Sequence, residues 1–134
     1  MNQQFKRVLI ANRGEIAIRI AQTLSVMGIF SVSVYAQDDA SALHSKKVDL
    51  AVPLVGHGVN AYLDIEQLID IALANDCDAI HPGYGFLSEN AQFSARCLDA
   101  GLVFIGASSE ILSLLGDKAK ARKLAIECDI PLVK

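Results

Sequence analysis

The residues able to do chemistry in this chain gather in four short segments: Asn12-Arg13-Gly14-Glu15, Asp38-Asp39, His81 to Asn90, and Gly106 to Ser109. The longest reads His81-Pro82-Gly83-Tyr84-Gly85-Phe86-Leu87-Ser88-Glu89-Asn90 and sets a tyrosine between two glycines. Gly83 and Gly85 admit backbone angles that other residues rarely adopt, and Pro82 fixes the direction in which the chain leaves the preceding apolar run. Such a loop can offer Tyr84 to a ligand as a flat face with a polar tip. It could equally be a plain strand-to-helix turn with its aromatics packed inward. His81 alone reads as a satisfied core histidine, and Ser88 or Asn90 can cap the next helix.

Asn12-Arg13-Gly14-Glu15 follows an apolar run and opens a helical pattern, with the acidic pair Asp38-Asp39 further on. That order invites a dinucleotide reading. The dinucleotide fingerprint needs three glycines, whereas ANRGEIAIRI supplies only Gly14. Glu15 in the first helical turn would also repel a pyrophosphate, although it suits the helix dipole. Gly14 is then a turn glycine, with Arg13 and Glu15 as a charged rim. In Leu115-Gly116-Asp117-Lys118 a lysine stands at a helix start, where the dipole disfavours it. That misplaced charge hints at an anionic partner supplied from outside the segment. His44 and His57 lie near no carboxylate cluster of ligand spacing, so no metal site is expected. Cys77, Cys97 and Cys128 form no CxxC pair and are odd in number, which makes a poor disulfide framework. They read as reduced, mostly buried thiols in a reducing, cytoplasmic compartment.

The apolar residues show what must position these segments. Val8 to Ala11, Ser31 to Tyr35, Ala51 to Leu54, Ala79 to His81 and Val103 to Ile105 are short β-rich runs, the first of the continuous kind buried on both faces. Pro53 argues that its run is an edge or a strand end. Between the runs lie helical patterns. Ile16, Ile20, Leu24 and Met27 predict one helix face, closed by Gly28. A helix opening at Asp64 carries Ile65, Leu68, Ile69, Ala72 and Leu73. Others are predicted over 90–100, from Ser108 to Leu115, and from Lys118 to Cys128. Strand–helix alternation implies βαβ units and parallel strands. The expected fold class is α/β, a doubly wound parallel sheet of five strands with helices on both faces. In such sheets ligands bind beyond the carboxyl ends of the strands, where all four segments fall.

Composition bounds the rest. The chain has 134 residues, 52% of them hydrophobic and 20% charged. That suffices for one domain with one core, expected over 1–134, and excludes a disordered coil. A formal net charge of -3 leaves no basic field to recruit nucleic acid or an anionic membrane. No apolar run is long enough to span a bilayer, and the run after MNQQFKR is too short for a signal-peptide core.

Taken in order, ANRGEIAIRI, HPGYGFLSEN and FIGASSEILSLLGDK give the chain a strong resemblance to the N-terminal domain of biotin carboxylase, a component of acetyl-CoA, propionyl-CoA, methylcrotonoyl-CoA and pyruvate carboxylases. The resemblance runs from about Phe5 to the end. It implies a pre-ATP-grasp fold, a Rossmann-like sheet that binds no dinucleotide itself. It also implies membership of a ligase that uses ATP and bicarbonate to carboxylate biotin on a carrier domain, assisted by Mg²⁺ or Mn²⁺. The metal-binding and bicarbonate-handling groups would belong to an ATP-grasp domain expected to follow this one. The resemblance assigns Lys118 to ATP, and Tyr84 with Gly83 and Gly85 to the biotin side of the cleft, with no catalytic or metal-ligating residue in this chain. Its implied partners are the ATP-grasp domain, the biotin carboxyl carrier domain and the carboxyltransferase. The chain departs from the family at Gly106-Ala107, where Gly-Pro is usual, and is one residue short before Tyr62. Gln22 and Val26 stand where dimeric relatives carry charges, which leaves a homo-oligomer an open option. The alternative is a stand-alone Rossmann-like binding module that kept the fold without ligase activity.

Overall fold

The computed structural model describes residues 4–133. Its elements run β1 (Arg7–Ile10), α1 (Gly14–Val26), β2 (Phe30–Tyr35), β3 (Leu50–Pro53), α2 (Gly58–Ala61), α3 (Ile65–Ala74), β4 (Ala79–His81), α4 (Ala91–Asp99), β5 (Val103–Phe104), α5 (Ser109–Gly116) and α6 (Lys118–Glu127). The strands form one five-stranded sheet in the order β3-β2-β1-β4-β5, and every pairing is parallel. The five apolar runs are the five strands, with ends shifted by one residue at most. Leu9 sits opposite both Val32 and Ile80, so β1 is the centre of the sheet. Pro53 ends β3 at one edge, as its missing N–H requires, and the two-residue β5 forms the other.

Each face of the sheet carries its own core. On one, Leu9, Val32, Val34 and Ile80 pack against Leu68, Ile69 and Ala72 of α3 and Phe93 and Cys97 of α4. On the other, Val8 and Ile10 pack against Ala17, Ala21 and Leu24 of α1. The expected face of α1 is thus turned. Ile16 and Ile20 are only half-buried and Met27 is exposed, while two alanines take the innermost line. Small residues there let the helix backbone approach the sheet closely, and the isoleucines flank the contact instead. In α3, Leu73 likewise lies outside the buried stripe.

The predicted caps form. Gly28, at φ +70°, closes α1: its N–H donates to Ser25 O (3.1 Å) and the Ile29 N–H donates to Leu24 O (2.9 Å), the paired bonds of a Schellman end. Asp64, Asn90, Ser108 and Asp117 each accept a backbone N–H at the start of α3, α4, α5 and α6. Neither α5 nor α6 contains a buried residue. Cys77 and Cys97 are buried and Cys128 is exposed. Burial pushes the Cys77 thiol up to about 11 and the Cys97 thiol up to about 12.

Candidate functional site

In an open parallel sheet the crevice for a ligand opens where the strand order reverses. Here that point lies between β1 and β4, because the chain runs outward from β1 to β3 and then returns to β4 on the other side. The two segments that leave these carboxyl ends are Asn12–Glu15 and His81–Asn90.

One side chain joins them. Asn12 is 1% exposed. Its Nδ2 donates to Pro82 O (2.8 Å) and to Tyr84 O (2.9 Å), and its Oδ1 accepts the Arg13 N–H (2.8 Å). Both amide hydrogens and the carbonyl are therefore used inside the protein, as burial demands. The contact is tight enough to require glycine at position 83. A Cβ there would lie 2.7 Å from Asn12 Nδ2 and 2.8 Å from Ile16 Cγ2, and φ is +68°. Gly85 has the same φ but open space around it, so only its backbone angle calls for glycine.

Between these glycines the two aromatics part ways. Tyr84 is 69% exposed, whereas Phe86 turns inward and stacks on Tyr62 with ring centroids 5.6 Å apart and planes at 17°. Phe86 holds a left-handed φ of 41° to do so, a strained position for a bulky residue. The Arg13 guanidinium lies 5.7 Å from the Tyr62 ring and 5.9 Å from the Phe86 ring. It also pairs with Asp39 Oδ2 at 3.3 Å. The Tyr62 hydroxyl donates to that carboxylate (2.7 Å) and accepts the Ala36 N–H (3.1 Å). Burial pushes the phenol well above its ordinary range, and the bond to Asp39 adds to this. His44 Nε2 donates to Val34 O (3.1 Å) behind them. Burial holds the His44 imidazole below its usual value, so it stays neutral. Asp38 accepts the Gly58 N–H (2.8 Å), which lowers its carboxyl.

His81 is satisfied within the same loop. Its Nδ1 accepts the Gly83 N–H (3.0 Å), which leaves the ring proton on Nε2, and burial lowers its titration. At the far end of the loop Asn90 Oδ1 accepts the Phe93 N–H (2.8 Å) and starts α4. The fourth segment is tied to α4, since Ser94 Oγ donates to Ala107 O (3.2 Å). Lys118 is the exposed first residue of α6, following Asp117, whose carboxylate caps that helix. Among the described residues no group of three or more His, Cys, Asp or Glu could hold a metal ion. The geometry thus presents an aromatic face on a fixed backbone, while Lys118 stands apart from it at the start of a separate, exposed helix that also carries Lys120, Arg122 and Lys123.

The sequence singled out Asn12, Arg13 and Asp39 as members of candidate segments, but neither the bonds of Asn12 to the Tyr84 loop nor the meeting of Arg13 and Asp39 with Tyr62 was legible in it. The one available signal is that Asn12 is the first polar residue after the apolar run Val8 to Ala11.

Comparison with known proteins places these features. The profile of the biotin carboxylase N-terminal domain matches residues 4–112, from before β1 into α5. The chain belongs to the biotin carboxylase N-terminal domain family. Pyruvate carboxylase of Bacillus subtilis is 52% identical over 134 residues, covering 98% of this chain and 12% of that protein. The human mitochondrial pyruvate carboxylase is 47% identical over 131 residues and 96% of this chain, again over only 11% of its own length. Among solved structures, the biotin carboxylase domain of a single-chain bacterial carboxylase superposes with a TM-score of 0.93 at 51% identity, covering 96% of this chain and 30% of that one. The complete Rhizobium etli pyruvate carboxylase gives a TM-score of 0.93 at 39% identity over 98% of this chain and 13% of its own. The parallel α/β sheet is the fold of the biotin carboxylase structures it superposes on. The compartment named for the human relative is that protein's own. In this chain no helix among the described residues is long and apolar enough to cross a membrane.

Proposed function

We propose that this chain works as the amino-terminal part of a biotin-dependent carboxylase, in which a biotin carboxylase unit uses ATP and bicarbonate to carboxylate biotin on a carrier domain. The observation that carries the reading is the HPGYGFLSEN loop at the switch point of the sheet, with Tyr84 exposed on a backbone fixed from beneath by Asn12. The biotin bicycle, a planar polar ureido ring fused to an aliphatic thioether ring, suits a residue that offers a flat face and a hydroxyl together. Gly83 and Gly85 shape its approach, and Lys118 supplies a charge toward ATP. We take 1–134 as one domain, of which residues 4–112 match the family profile. ATP, Mg²⁺ or Mn²⁺ and bicarbonate would then be held chiefly by an ATP-grasp domain, with a biotin carboxyl carrier domain and a carboxyltransferase as the further partners.

The division of labour follows from magnitudes. One exposed lysine contributes at most about 1 kcal/mol to an ion pair, whereas micromolar affinity requires about 8 kcal/mol. The 134-residue chain alone is therefore expected to bind ATP no better than millimolar and to lack ATPase activity. In the complete carboxylase, Lys118→Gln should raise the KM for ATP and leave bicarbonate dependence unchanged. Calorimetry showing micromolar ATP binding by the chain alone would overturn this assignment and make the sheet a nucleotide site in its own right.

A further inference from the structure

We propose that Asn12 is a positioning residue for biotin, acting through the backbone of Tyr84. The inference rests on the reading of Tyr84 as a biotin contact, and it adds what fixes that contact in place. An exposed aromatic on a loose loop must be ordered when its ligand arrives, and that cost is subtracted from affinity. Here the ordering is done beforehand. Asn12 Nδ2 holds the carbonyls of Pro82 and Tyr84 at once, so the residues on either side of Gly83 cannot move independently. Gly83 brings the loop so close that a methyl group would strike the Asn12 amide. Two residues beyond Tyr84, the inward stack of Phe86 on Tyr62 anchors the other end. The Tyr84 side chain is the outward exception between two anchored neighbours. A turn needed only for the fold has no reason to spend a buried, fully satisfied amide on fixing an exposed ring.

The same geometry selects the substitution. Asn12→Asp keeps the size and the acceptor for the Arg13 N–H, removes both donors, and turns a carboxylate toward two carbonyls. In the complete carboxylase, assayed by bicarbonate-dependent ATP cleavage driven by free biotin, it should raise the KM for biotin by about tenfold or more, since the Pro82 and Tyr84 carbonyls both lose their donor. The kcat and the KM for ATP should stay within about twofold, since no reacting atom is touched. Tyr84→Ala should raise the biotin KM as well, and the double variant should be no worse than Tyr84→Ala alone, because Asn12 acts only through that residue. If Asn12→Asp does not fold, Asn12→Ser, which keeps one hydroxyl donor, takes its place in the cycle. An unchanged biotin KM in Tyr84→Ala would sink the underlying biotin reading. A raised KM in Tyr84→Ala with no effect of the Asn12 variant, or with additive effects, would leave that reading standing and overturn the role given to Asn12.

Discussion

Removing one oxygen atom, in Tyr62→Phe, tests whether the polar group beneath the loop holds the fold together. The ring would keep its stack on Phe86, so packing changes little. What disappears is the partner of the Ala36 N–H and the donor to Asp39. Ala36 is fully buried, and an orphaned backbone N–H there costs about 1–3 kcal/mol. The bond to the carboxylate is charge-assisted and worth about 1.5–3 kcal/mol, but Asp39 retains Arg13 and has 22% of its side chain in water, so much of that second loss is recovered. The net expectation is a loss of about 2–3 kcal/mol. At an m-value of about 2 kcal/mol per molar urea, the unfolding midpoint should fall by about 1–1.5 M with an unchanged slope. Equilibrium unfolding of the chain followed by circular dichroism reads this directly. A shift below about 0.3 M would mean that the Ala36 N–H finds another partner, and the network would lose its structural weight.

Gly83 and Gly85 share a φ of +68° but differ in surroundings, so Gly85→Ala should lose only the left-handed penalty of about 1–2 kcal/mol. Gly83→Ala must also displace Asn12 and should lose at least about 2 kcal/mol more by the same urea measurement; equal losses would refute the tight contact. His44 and His81 are both held below the ordinary value of 6.5 by burial, so the folded state disfavours their charged forms. The unfolded chain takes up these protons first. Stability is therefore full above about pH 6.5 and declines as pH falls from there toward the lowered folded values, and a thermal midpoint unchanged between about pH 7.5 and 5.5 would contradict it.

The strands were legible because a parallel sheet covered on both faces demands continuous apolar runs, and Val8 to Ile10 can hardly be read otherwise. Helix caps were legible for a local reason, since Asp64, Asn90 and Ser108 act within their own turn. Less local facts were hidden. The periodic isoleucines of α1 mark a helix without saying which side touches the sheet, and alanines won that side by being small. Asn12 reaches residues about seventy positions away in the chain, and nothing near it in sequence announces such a partner. The same holds for Arg13, Asp39 and Tyr62, which meet only once β1, β2 and the segment after β3 are assembled. Phe86 and Tyr84 are both aromatic within one loop, and only the backbone angles send one in and the other out.

The two flanks of the sheet bear on how the protein avoids itself. An open sheet edge is a row of unpaired amides on which a strand of another molecule can zip, the first step toward aggregation. Here one flank offers just the two residues of β5, and the other ends in Pro53, which has no N–H to give. A stray strand would find too little ladder on either side to outweigh the entropy of joining. A sheet rich in exposed-edge hazard by composition is thus guarded against edge-to-edge pairing by where its strands stop.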